Sequence, residues 1–208
     1  MREWIHSPLL TLGLFPEWFC VPQPDWPSQI KLTGFPLYDE RGVTSMPAAL
    51  EQFLNQGEAP IVFTPGSAMV HGRSFFDAAV DTCVRMNRRG VLLSRFAQNI
   101  PPGLPPTVIH VDFAPFSALL PRAAATVHHG GIGTLSQGLA AGVPQLIMPM
   151  AHDQSDNAAR AIKLGVAEKL HVRQFKGPAV AKKLATLLGD SVTLASAKAV
   201  DRKSTRLN

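Results

Sequence analysis

From Met46 onward, short apolar runs alternate along the chain with stretches in which apolar residues recur at helical spacing. The runs show no regular alternation with polar residues, which is typical of strands buried on both faces; they are PIVFTP, VLLSRF, TVIHVDF, ATVHH, QLIMPM and VAEKL. Helical patterns such as PAALEQFLNQG and RSFFDAAVDTCVRMNRRG lie between them. Strands separated by helices predict the α/β fold class, with a doubly wound, Rossmann-like parallel sheet.

The two ends of the chain depart from this pattern. Half of the 18 prolines fall within the first 65 residues, and the stretch CVPQPDWPSQIKLTGFPLYDERG cannot form a helix, because proline lacks the amide hydrogen and clashes with the preceding turn. We expect extended segments joined by turns there, which bury little by themselves. The last eight residues, DRKSTRLN, are polar and basic without an apolar face. They predict a tail over 201–208, either a frayed end or a non-native sequence.

Composition narrows the class of protein. With 46% hydrophobic and 17% charged residues, the chain can bury a core. A net charge of +5 suits an anionic ligand such as a phosphate, but is too small to indicate nucleic-acid binding. The two cysteines, Cys20 and Cys83, lie in unrelated contexts without metal-ligand spacing, which favours a reducing, cytoplasmic compartment. No run of about 18 apolar residues predicts a membrane-spanning helix.

The most unusual segment is the glycine-rich stretch VHHGGIGT, which begins in the run ATVHH. In a doubly wound sheet, ligands bind beyond the carboxyl ends of the strands, where Gly130, Gly131 and Gly133 follow. Glycines let the backbone turn sharply and approach a ligand closely. The free N–H groups of a helix beginning near Gly133 and the hydroxyl of Thr134 can then hold phosphate oxygens. A plain strand-to-helix turn is the alternative.

Two adjacent histidines precede these glycines. Neighbouring strand residues point to opposite faces, so His128 and His129 are not expected to chelate one metal together. We expect His128 to be packed or hydrogen-bonded in the core and His129 to face the crevice. There its ring N–H could carry positive charge near neutral pH.

A carboxylate and an amide follow the next strand. The run QLIMPM ends shortly before Asp153 and Gln154, which open a predicted helix at the same edge of the sheet. Asp153 is also well placed to cap that helix, which would explain it without any ligand. Together, however, a carboxylate and an amide offer the acceptors and donors that sugar hydroxyls need. A phosphate cradle beside such a pair fits a nucleotide sugar.

These residues are recognisable as a group. The segment FAPFSALLPRAAATVHHGGIGTLSQGLAAGVPQLIMPMAHDQSDNAARAIKLGVAEKL strongly resembles the donor-binding signature of nucleotide-sugar-dependent glycosyltransferases of the GT-B fold. It is most similar to bacterial enzymes related to sterol glucosyltransferases, antibiotic glycosyltransferases and rhamnosyltransferases. The resemblance rests on the His-x-Gly-x-Gly-Thr core at 129–134, on Gly-Val-Pro at 142–144 and on Asp-Gln at 153–154, in this order.

The resemblance assigns a role to each of ten residues. It implies that the donor diphosphate is bound by His129, Gly131, Gly133, Thr134, Gly66 and Ser67, and that Asp153 and Gln154 bind the sugar. Phe113 would lie beside the base, although a core aromatic is the alternative. Gln137 stands where the family often has a glutamate for the ribose, so this contact lacks charge assistance; an exposed helix residue is its alternative.

The resemblance also implies a domain organisation. Residues 1–40 would be the end of an N-terminal domain and the interdomain linker, and 41–200 the donor-binding C-terminal domain of a GT-B-type two-domain fold. The general base would come from the preceding domain, so no catalytic residue is assigned within this chain. No metal and no cofactor are implied, because the nucleotide sugar is a substrate.

The function implied is that of the donor-binding half of an inverting glycosyltransferase, inactive by itself. The intact enzyme would move a hexose from a UDP- or dTDP-sugar to a hydroxyl of a lipid or another hydrophobic small molecule. Peripheral contact with a membrane is compatible with such an acceptor. No nucleic-acid partner is expected. A non-catalytic nucleotide-binding module or subunit, or a nucleotide-sugar epimerase of the related fold, is the alternative.

Overall fold

A computed structural model describes residues 7–40, 42–67 and 69–205, and its strands form two parallel sheets. The small sheet pairs β1 (Thr11–Gly13) with β2 (Ile30–Leu32). The strands of the central sheet are β3 (Ile61–Thr64), β4 (Gly90–Leu93), β5 (Val108–Val111), β6 (Ala125–His128), β7 (Gln145–Ile147) and β8 (Ala167–Lys169). Every predicted strand is therefore present, and the predicted α/β fold class is confirmed.

The order of the central strands fixes where a ligand can bind. The order is β5-β4-β3-β6-β7-β8, so the chain moves outward from β3 to β5 and then returns to place β6 beside β3. The connections from β3 and from β6 therefore leave in opposite directions along the sheet. Such a reversal opens a crevice at the carboxyl ends of the two strands, which is the usual ligand position in doubly wound folds.

Helices cover both faces of the sheet. They are α1 (Ala48–Asn55), α2 (Arg73–Met86), α3 (Phe116–Leu119), α4 (Ile132–Ala140), α5 (Gln154–Lys163), α6 (Gly177–Gly189) and α7 (Ser191–Thr205). Along β3, Ile61 and Phe63 pack into the cluster formed with α2 and α6, whereas Val62 packs against α1 and α3. Because both faces are buried, apolar residues are favoured on both sides of the strand, and this explains the lack of alternation in the sequence.

The proline-rich segment buries more than the sequence indicated. Phe19 and Phe35 are only 7% exposed and pack against α4, α5 and α7. Their rings make an edge-to-face contact at 5.2 Å between centroids, and Trp18 adds a second contact to Phe35 at 5.9 Å. The segment is thus buried by packing on the helices of the larger sheet, because aromatic side chains can fill a core from an irregular backbone.

The hydrophobic pattern did not predict α7. This helix begins after Asp190, whose carboxylate accepts hydrogen bonds from the Val192 N–H at 2.9 Å and from the Thr193 hydroxyl at 2.7 Å. Its buried residues, Ala197 and Val200, pack into the same cluster as Phe19. The helix includes 201–205 of the segment predicted to be a polar tail, and 206–208 lie outside the described residues, as do 1–6 of the segment 1–40.

Candidate functional site

A cavity of about 380 Å³ opens at the reversal point of the sheet. It extends from the beginning of α4, past the carboxyl ends of β3, β4 and β5, to the segment 36–40. Six of the ten residues assigned by resemblance line it, and they are Gly66, Ser67, Phe113, Gly133, Thr134 and Gln137. The fold therefore brings together residues separated by up to 71 positions in the sequence.

The beginning of α4 is open toward this cavity. Gly130 has φ +92°, a left-handed conformation that favours glycine, and it turns the chain out of β6. Gly131 precedes α4, and no side chain caps the helix. A Cβ added to Gly133 would meet no protein atom within 4 Å. The first N–H groups of α4 can therefore bind an anion that approaches from the cavity.

The ring of His129 is held between two glycines. A Cβ at Gly66 would lie 2.6 Å from its Cε1, and a Cβ at Gly131 would overlap its Nε2. Nδ1 of His129 is buried without a hydrogen-bond partner in the part of the chain that the structure describes. His129 and Gly131 are not among the residues that line the cavity; the ring packs behind Gly66, which does line it.

Burial lowers the pKa of the His129 ring below the usual value, and the nearby Asp153 carboxylate only partly opposes this effect. This disfavours the positive charge expected near neutral pH, because the desolvation cost of the imidazolium outweighs the attraction to Asp153. The ring can still donate or accept one hydrogen bond at each nitrogen.

His128 lies in the core, fully buried. Its Nδ1 accepts a hydrogen bond from the N–H of Gly130 at 3.0 Å, so the proton lies on Nε2, which donates to Oε1 of Gln145 at 2.8 Å. Burial lowers the pKa of His128 to about 3. This histidine therefore fixes the glycine turn as a neutral group. Among the described residues, no cluster of His, Cys, Asp and Glu could hold a metal ion.

Asp153 and Gln154 lie beside this turn but outside the lining of the cavity. Asp153 occupies the position before α5 without a capping hydrogen bond, so capping does not explain it. Its Oδ2 instead accepts from Nδ2 of Asn157 at 2.7 Å. Oε1 of Gln154 accepts from the N–H groups of Met150 and Ala151 and closes the loop before α5. Only the amide nitrogen of Gln154 is left to contact a ligand.

Asn157 was missed by the sequence interpretation. Its Nδ2 donates to the carbonyl oxygen of Gly130 at 3.0 Å as well as to Asp153, and thus connects the glycine turn to α5. Residues four apart lie on the same face of a helix, so its spacing from Asp153 was a usable signal.

The far end of the cavity is aromatic. Phe113 is half-buried and lines the cavity, and it does not belong to the buried core clusters. The guanidinium of Arg95 lies 5.4 Å from its ring centroid. Gln137 is only 7% exposed and lines the cavity, so it is not an exposed helix residue. The segment 36–40 forms a further wall and is tied to α3 by Oδ2 of Asp39, which accepts from the Ser117 N–H at 2.5 Å.

Comparisons with known proteins identify a family for this chain. A family model described as "Erythromycin biosynthesis protein CIII-like, C-terminal domain" matches residues 91–205. An O-mycaminosyltylonolide 6-deoxyallosyltransferase from Streptomyces fradiae is 37% identical over 171 residues, which are 78% of this chain and 40% of that protein. A sterol 3-beta-glucosyltransferase from Pichia angusta is 31% identical over 176 residues, 79% of this chain and 14% of that protein.

Solved structures show the same architecture. A spinosyn rhamnosyltransferase complexed with thymidine diphosphate superposes with a TM-score of 0.80 at 20% identity, covering 97% of this chain and 54% of that one. The chain therefore spans 40% of the length of the Streptomyces relative and about half of this solved structure. Within the described residues, none of the helices is both long and apolar enough to cross a membrane.

Proposed function

The chain belongs to the erythromycin biosynthesis protein CIII-like family, as the C-terminal domain found in glycosyltransferases with the GT-B fold. On the basis of this membership, we propose that it binds the nucleoside diphosphate of a sugar donor. The observation that carries the proposal is the open space in front of Gly133, at the beginning of α4, where no side chain caps the helix. Helix N–H groups suit a diphosphate, because the helix dipole supplies positive potential without a cationic side chain.

The order of the strands suggests how a bound donor would be oriented along the sheet. If the diphosphate lies at the beginning of α4, beside β6, the cavity leaves space for the nucleoside on the side of β3, β4 and β5. Phe113 and Gln137 lie there and would contact the base and the ribose. The sugar would extend the other way, toward β7, where Asp153 and the amide nitrogen of Gln154 lie. Gly66 and Ser67 would approach the phosphates from the end of β3.

In the intact protein, we propose direct transfer of a hexose from a UDP- or dTDP-sugar to a hydroxyl of a hydrophobic small molecule or lipid, with inversion. The beginning of α4, Thr134 and His129 would stabilise the departing diphosphate as its negative charge develops. The general base would lie in a preceding domain, of which residues 1–40 form the end, with 41–200 as the donor-binding domain. The names of the sterol and antibiotic relatives support the acceptor class.

Calorimetric titration with UDP and dTDP tests the proposal. We expect a chelator to leave the affinity for each nucleotide unchanged. Gly133→Val should weaken binding by about tenfold or more, because the valine side chain fills the phosphate position. Gly189→Val is the matched control, since a Cβ there also meets no protein atom within 4 Å. His129→Ala should weaken binding as well. If neither nucleotide binds, or if the Gly133 and Gly189 variants bind alike, the site has been placed wrongly.

A further inference from the structure

Arg95 lies in the part of the cavity that would receive the nucleoside. It follows β4, two strands away from β6, and lines the cavity together with Phe113 after β5. Among the described residues that line this cavity, Arg95 is the only lysine or arginine. Neither the glycine-rich signature nor the resemblance assigns it a role.

The backbone that carries Arg95 is held on both sides. The N–H of Ser94 donates to the carbonyl oxygen of Val111 at 3.1 Å, and Nε2 of His110 donates to the carbonyl oxygen of Ser94 at 2.9 Å. The hydroxyl of Ser94 then accepts from the N–H of Phe96 at 3.1 Å. The backbone of the loop is therefore already ordered, so that only the Arg95 side chain has to lose freedom when a ligand binds.

The guanidinium of Arg95 has its hydrogen-bond donors available. Its contact is with the Phe113 ring at 5.4 Å, and no carboxylate in the described part of the chain forms an ion pair with it. Two of the cavity carboxylates have other hydrogen-bond partners: Asp39 accepts from the Ser117 N–H and Glu40 from the Thr44 hydroxyl. The side chain of the third, Asp112, is 74% exposed.

A flat cation beside an aromatic ring suits a nucleobase. A base can stack on Phe113, and a guanidinium can then reach its edge with charge-assisted hydrogen bonds. Uracil and thymine present carbonyl oxygens, and guanine presents two adjacent acceptors, whereas adenine places an amino donor beside its ring nitrogen. Because arginine has only donors, one of them would oppose the adenine amino group.

We propose that Arg95 is the specificity-determining residue for the nucleobase and selects bases with a carbonyl oxygen over adenine. This inference rests on the proposed function, since it requires the diphosphate at the beginning of α4. It adds the residue that would supply the base preference, which the diphosphate site cannot supply because a diphosphate is common to all nucleotides.

The test is calorimetric titration of the chain and of Arg95→Met with UDP, dTDP, ADP and pyrophosphate. Methionine keeps an apolar stem beside Phe113 but removes the donors. We expect the unchanged chain to bind UDP and dTDP more tightly than ADP. Arg95→Met should lose about tenfold to a hundredfold in affinity for UDP and dTDP, since a hydrogen bond to a charged group is lost. Its affinity for ADP and pyrophosphate should change little. Arg173→Met, at another exposed arginine outside the cavity, is the matched control.

Each other outcome has a distinct meaning. An equal loss for all four ligands would show that Arg95 binds phosphate, and no loss for any would show that it contacts no ligand; both overturn the inference but leave the donor site in place. ADP binding as tight as UDP binding by the unchanged chain also overturns it. Failure of every ligand, including pyrophosphate, would instead reject the proposed function itself.

Discussion

His128 should make the folded protein sensitive to mild acid. In the unfolded chain a histidine takes up a proton near its ordinary pKa of about 6.5. In the folded chain, burial lowers the pKa of His128 to about 3, and Nδ1 is already occupied by the Gly130 N–H. Between these two values the unfolded state binds more protons than the folded state. The free energy of unfolding therefore falls as the pH falls through this window.

The expected size of the effect follows from these two pKa values. Each pH unit well inside the window costs about 1.4 kcal/mol for one proton, so lowering the pH from about 7.5 to about 5 should remove about 2 kcal/mol through His128. That is a sizeable fraction of the stability of an ordinary domain. The lowered pKa of His129 acts in the same direction and adds to the total.

Urea unfolding followed by tryptophan fluorescence at several pH values measures this effect. His128→Gln keeps a donor and an acceptor but cannot titrate. Over the same pH range, its free energy of unfolding should therefore fall by about 2 kcal/mol less than that of the unchanged chain, whatever its stability at neutral pH. His171→Gln is the control, because His171 is exposed. If the free energy of unfolding changes equally with pH in the unchanged chain and in His128→Gln, the acid sensitivity does not come from the buried, neutral His128.

Three further outcomes are expected. Gly131→Ala should lower stability by about 1–3 kcal/mol in urea unfolding and weaken dTDP binding, because its Cβ overlaps the ring of His129; unchanged values would contradict that contact. Burial raises the pKa of Cys83 to about 12, so its thiol should react with a disulfide reagent only in denaturant. Leu12, on β1, and Leu9, just before that strand, are 53% and 87% exposed, so replacing both by serine should reduce self-association in light scattering; a monomeric unchanged chain would contradict this.

The sequence predicted the central sheet because its inner strands are buried on both faces, and this leaves short runs of mainly apolar residues in the chain. It did not predict α7, whose alanines and serines form only a weak amphipathic pattern, nor the burial of Phe19 and Phe35. These side chains leave an irregular backbone, so no periodicity marks the face that is buried. Local patterns indicate elements well, but they say little about contacts made between distant parts of the chain.

The same limit explains which site residues were found. The glycine turn and the Asp153–Gln154 pair lie within one short segment, so spacing alone placed them near one another. Arg95 and Asp39 reach the cavity only because β4 and the segment 36–40 lie beside that turn in the folded chain. Nothing in their local sequence distinguishes them from surface charges.

The glycines of the site have different roles, which the sequence alone does not distinguish. Gly130 is needed for its left-handed backbone, whereas Gly66 and Gly131 leave room for the ring of His129. Substitution at these three positions therefore changes the fold and the ligand site together. Gly133 alone faces open space, so a side chain added there can exclude a ligand without displacing a neighbour. Binding and folding can be separated at that position, and this is why the proposed diphosphate site is tested there.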